Sequence, residues 1–121
     1  MVNFRTDGSN YIEYYFNPGV GNANLKIANG GAIQMDAGPS LGAYVAGSPI
    51  KAAMAYKLDN SVSCANGTLA GTDTTCTIPT VNMMGVGCNP ASLLSVFPAW
   101  VEKVMYYPAR ISNSELQRIT S

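Results

Sequence analysis

The feature that most constrains this chain is a period-two alternation of apolar and polar residues, broken roughly every eight to twelve residues by Gly, Pro or Asn. In Tyr11–Phe16, residues Ile12, Tyr14 and Phe16 fall on one side and Tyr11, Glu13 and Tyr15 on the other. A strand with one buried face requires that pattern. Asn17-Pro18-Gly19 stops it, because Pro cannot donate to a ladder and Gly accepts positive φ. Leu25-Lys26-Ile27 and Ile33-Gln34-Met35 flank Asn29-Gly30-Gly31, a hairpin signal.

The longest alternating run predicts a strand from Ile50 to Leu58. It sets Ile50, Ala52, Met54, Tyr56 and Leu58 against Lys51, Ala53, Ala55 and Lys57. Asn66-Gly67 suits a type I′ turn, which places Val62 and Cys64 on one face and Cys64 opposite Leu69. Thr72–Thr77 is β-prone and ends before Pro79. Val81–Gly87 and Trp100–Tyr107 read as the last two strands. At 121 residues the expectation is one domain, 1–121, and the spacing predicts an all-β antiparallel sandwich.

One short helix is expected at the end. Ser112-Asn113-Ser114-Glu115 has the capping-box form: Ser112 accepts from the Glu115 amide, and Glu115 reaches back to the Ser112 amide. Ile111 and Leu116 sit at the staple positions, and Leu116 and Ile119 share a face. Two turns need tertiary packing to persist.

Composition narrows function. Charged residues are 12% of the chain, against about 25% in an average protein. Seven basic and seven acidic residues cancel, which leaves no electrostatic footprint for nucleic acid or an acidic membrane. Histidine is absent, which excludes Ser-His and Cys-His catalysis and removes the commonest metal ligand. Met1–Asn10 reads as polar, so no signal peptide is expected there, and no apolar run reaches membrane-spanning length. Cys64, Cys76 and Cys88 are spaced too widely for a zinc site and are expected to be free thiols, with a Cys64–Cys76 bridge as the alternative. The seven acids, Asp7, Glu13, Asp36, Asp59, Asp73, Glu102 and Glu115, form no same-face pair for glycoside hydrolysis. No catalytic residue, cofactor or metal is expected.

From Lys51 onward the order of elements carries a resemblance. A long strand runs into an Asn-Gly turn, then a Thr-rich segment, a short strand, and a tail with Tyr106, Tyr107, Pro108, Arg110, Ile111, Ser112, Leu116, Gln117 and Thr120. This is similar to the C-terminal part of concanavalin A-like (laminin-G-like) jelly-roll domains, in the variant found in bacteriophage virion proteins. Lys51 to Ser121 carries the likeness. It implies a jelly-roll sandwich with a short C-terminal helix, and a family domain whose first strands are missing here or supplied by another chain. Calcium-binding members place acids in loops; the acids here do not cluster, so no calcium site carries over.

Two roles follow. The resemblance implies a non-enzymatic virion protein, made in the host cytoplasm, that decorates a capsid or forms part of a tail fibre beside other virion proteins or copies of itself. The alternative is a glycan-binding module for the host surface. Candidate ligand or interface residues are Trp100, Tyr11, Tyr15, Tyr44 and Tyr107, with Met83 and Met84 as further interface candidates. Ser112 and Glu115 are the structural cap.

Overall fold

A computed structural model describes residues 2–17, 21–41, 47–90 and 100–121. Its strands are β1 (Val2–Arg5), β2 (Tyr11–Asn17), β3 (Asn22–Asn29), β4 (Ala32–Ala37), β5 (Ala52–Ala55), β6 (Ser61–Ala65), β7 (Thr68–Asp73) and β8 (Met83–Val86), followed by helix α1 (Asn113–Thr120). They form two antiparallel sheets, of order β4-β3-β2-β1-β8 and β5-β6-β7. The fold is an all-β sandwich with one short C-terminal helix. The chain meanders through four strands, crosses to the second sheet for three, and returns to lay β8 beside β1, a long return of Greek-key type.

The inner faces meet as the alternation requires. Ile12, Leu25, Ile27, Met35 and Cys76 form one buried cluster, joined by Phe4, Tyr14, Met54, Tyr56 and Ile78. A second cluster lies on the far side of the three-stranded sheet, where Ala55, Val62, Cys64 and Leu116 pack with Ala53, Leu69 and Ile111. β6 is therefore buried on both faces: Val62 and Cys64 meet α1, and Ser63 meets the other sheet.

The two hairpins follow their turn residues. Gly30 and Gly31 have φ of 59° and 84° between the paired Asn29 and Ala32. Asn66 and Gly67, at 45° and 74°, join Ala65 to Thr68 and place Cys64 opposite Leu69. Both positive φ values fit a type I′ turn.

The N-terminal residues add a strand, β1, because Val2 and Phe4 alternate with Asn3 and Arg5 against β2. Four expectations need correction. The Ile50–Leu58 strand shortens to Ala52–Ala55: Lys57 and Asn60 exchange main-chain hydrogen bonds, and Asp59 takes a φ of 53°. The Thr72–Thr77 strand ends at Asp73, whose carboxylate accepts from the Thr75 amide and hydroxyl at 2.7 and 3.0 Å, a turn that competes with the ladder.

Trp100–Tyr107 is not a strand. The segment is rich in β-prone residues but finds no ladder partner among the described residues and stays exposed. At α1, Glu115 N–H donates to Ser112 Oγ at 3.1 Å as expected, but the Glu115 carboxylate turns to Arg118, whose Nε is 2.8 Å away. The Arg118 guanidinium is charged and makes a stronger hydrogen bond to the carboxylate than the neutral Ser112 amide would. The helix buries Leu116 and Thr120, one turn apart, and Ile119 is only half-buried.

Candidate functional site

Two surfaces combine residue types that bind. The first is the outer face of the five-stranded sheet. Period two sends Asn3 and Arg5 of β1, Tyr11, Glu13 and Tyr15 of β2, and Asn24 and Lys26 of β3 to that side. Register then aligns Asn3 with Glu13, Glu13 with Lys26, and Lys26 with Asp36 of β4. A continuous polar row results.

At one end of this row, Asn3 Nδ2 donates to Glu13 Oε2 at 2.7 Å, Arg5 Nε donates to Asn3 Oδ1 at 2.8 Å, and Arg5 Nη2 stands 3.3 Å from Glu13 Oε2. Asn3 and Arg5 are buried although they face outward. The chain at Cys88–Pro90 closes over the face there: a Cβ on Gly85, opposite Asn3, would lie 2.7 Å from the Cys88 carbonyl oxygen. Burial raises the Glu13 carboxyl above its usual range, and the positive charges of Arg5 and Lys26 only partly offset that. The Tyr11 ring lies under the Arg5 guanidinium, 4.9 Å from its centroid.

The other end is centred on Asp36. Its Oδ1 accepts from the Tyr15 hydroxyl at 2.9 Å and from Asn24 Nδ2 at 3.0 Å, and its Oδ2 lies 3.3 Å from Lys26 Nζ. Burial pushes the Asp36 carboxyl up, but the bonds from Asn24, Tyr15 and Lys26 outweigh it and hold the group below its usual value. Asn24 Oδ1 is buried with no hydrogen-bond partner among the described residues. Donors, an acceptor and an aromatic ring thus converge within a few ångströms and are bonded to one another.

The second surface is apolar. Residues 100–107 are exposed: Trp100 at 99%, Tyr106 at 70%, Tyr107 at 41%, with Val101, Val104 and Met105 between them. The Tyr107 hydroxyl lies 4.0 Å from the Met105 sulfur. Nearby in kind is the edge strand β8, where Met84 and Val86 are 48% and 42% exposed on the face they share with Phe4. A single exposed apolar residue is ordinary; a run of them marks an interaction surface.

The candidate residues therefore divide. Tyr11 and Tyr15 belong to the polar row, Trp100 and Tyr107 to the apolar segment, and Met84 to the open edge, while Met83 is half-buried beside Arg5. Tyr44 lies outside the described residues. Sequence reasoning missed Asn3 and Arg5; the Val2-Asn3-Phe4-Arg5 alternation was the signal that could have found them. Among the described residues, no three His, Cys, Asp or Glu side chains gather to hold a metal ion, and no helix is long and apolar enough to cross a membrane.

No family model matches the chain, and no curated protein matches it in sequence. A search of solved structures finds an S-layer domain-containing protein from Clostridium thermocellum, with a TM-score of 0.54 at 15% sequence identity. The match covers 97% of this chain and 66% of that one, so the chain spans just under two thirds of its relative. The likeness supports the sandwich fold.

Proposed function

We propose that this chain is a non-enzymatic structural protein of a bacteriophage particle, acting at the particle surface as a capsid decoration or tail-fibre component. One observation carries the reading: the apolar segment 100–107, bare in the isolated chain, with Trp100 almost wholly exposed. Hydrating so many apolar side chains is unfavourable, and burial against another chain recovers about 25 cal/mol per Å². The tail resemblance to phage virion domains agrees with it. Few charges stand between copies to oppose assembly.

The test is location. An antibody against the chain, applied to purified phage particles, is expected to label their surface in electron micrographs. Particles that lack the chain by mass spectrometry would refute the role.

A second reading has its own observation. Tyr15, Asn24, Lys26 and Asp36 present the donors, acceptor and ring face of a glycan site. Binding to a glycan array that is lost in Asp36→Asn, with the fold retained, would favour this module over the structural role.

A further inference from the structure

We propose that two copies of this chain assemble by reciprocal strand addition, with residues 100–107 of each lying along the open edge of β8 in the other. The inference rests on the assembly reading and adds its geometry. β8 is an edge strand: β1 pairs with one side of it, and nothing among the described residues pairs with the other. An edge exposes main-chain donors and acceptors that only another extended segment can satisfy in full.

The chain supplies such a segment. Trp100–Tyr107 runs without helix or turn, has no proline, and holds no ladder partner among the described residues. Its apolar side chains match the bare Met84 and Val86 of β8, and no charge on β8 repels Glu102 or Lys103.

Geometry within one copy favours exchange over self-pairing. Downstream of the segment, Arg110 Nε donates to the Asn60 carbonyl oxygen at 3.2 Å, and α1 docks on the outer side of β5-β6-β7. That anchor is on the three-stranded sheet, whereas β8 belongs to the other layer.

Bare apolar surface is present on both sides of the contact: Trp100, Val104 and Tyr106 on the segment, and Met84 and Val86 on the edge.

Sedimentation of the purified full chain, from micromolar concentration upward, tests this with two variants. V104D puts a charge on the segment, and M84K puts one on the edge. The wild type is expected to dimerise, and each variant to weaken dimerisation at least about tenfold. An equimolar mixture of the two should restore it, because one contact then pairs Asp with Lys and the other is wild type. A wild-type chain that stays monomeric, variants that dimerise like the wild type, or a mixture that stays monomeric would each overturn the proposal. Val104 lies outside every strand, so V104D, with its fold checked by circular dichroism, decides alone if M84K does not fold. A monomeric chain that still labels phage particles would remove this inference and leave the structural role standing.

Discussion

The Tyr14 hydroxyl, on β2, donates to the main-chain carbonyl oxygen of Cys64, on β6, at 3.1 Å, and so joins the two sheets through a polar contact inside the sandwich. Ser63 stands beside it, with Oγ 3.1 Å from the Ala23 carbonyl oxygen and 3.3 Å from the Tyr14 hydroxyl. Apolar layers slide easily over one another; a directed bond at this point fixes which part of β6 faces which part of β2 and β3.

Tyr14→Phe should cost about 1 kcal/mol at neutral pH, since it removes the hydroxyl's bonds to the Cys64 carbonyl oxygen and from Ser63 Oγ. It should also change the alkaline limb of stability. Burial pushes the Tyr14 hydroxyl up to about 12. In the unfolded chain the group titrates near 10, so the unfolded state loses its proton first and stability falls as pH rises from about 10 to about 12. Urea unfolding at pH 7 and across that window should show a shallower alkaline loss in the variant. An unchanged slope would mean that Tyr14 is not buried between the sheets.

Gly38→Ala should be severe. A Cβ there would lie 1.8 Å from the Ala23 carbonyl oxygen and 2.7 Å from the Asn24 Cα, both main-chain atoms of a central strand. A loss of about 3 kcal/mol is expected, at the upper end for overpacking. Gly8→Ala is the control: nothing lies within 4 Å of its Cβ, so its effect should stay within about 0.5 kcal/mol. Equal melting temperatures for the two variants would contradict the close approach of Gly38 to β3.

The C-terminal helix should respond in proportion to its contacts. Ser112→Ala removes the acceptor for the Glu115 amide and should cost about 1 kcal/mol. Leu116→Ala should cost about 2–5 kcal/mol, because Leu116 is buried among Ala55, Val62 and Cys64. Negligible effects from both would mean that α1 is detached from the sheet.

The three cysteines should remain thiols of unequal reach. Cys64 is buried under α1, and Cys76 is buried between the sheets, 2.8 Å from Ser61 Oγ. Lying on opposite faces of the three-stranded sheet, they cannot meet without unfolding it. Cys88 is half-buried. Maleimide labelling of the native chain should modify Cys88 quickly and the other two only on denaturation. A chain two mass units light before reduction would refute the thiol state.

Much of this fold was legible wherever local chemistry decides the outcome. Asn29-Gly30-Gly31 and Asn66-Gly67 determine their turns through positive φ, and the register of each hairpin follows from its turn. Ser112 caps α1 for the same local reason. Legibility failed where a partner decides. Ala52–Ala55 has two buried faces, Met54 toward one cluster and Ala53 and Ala55 toward the other, so alternation could not mark its ends. Trp100–Tyr107 has β-prone residues and lacks a ladder among the described residues, since propensity does not supply a neighbour. In the polar row, Tyr11, Glu13 and Tyr15 could be placed on one face from spacing alone. Their union with Asn24 and Asp36 needed the β2-β3-β4 register, a long-range property that spacing within one strand does not encode.

Trp100 reports directly on the central claim that residues 100–107 form an assembly surface, because it is the chain's single tryptophan and is 99% exposed in the isolated copy. Its fluorescence should match a fully hydrated indole in dilute solution and shift to the blue as concentration rises, in step with the sedimentation coefficient. Emission that stays at the hydrated position while the chain assembles would place the contact elsewhere and contradict the account.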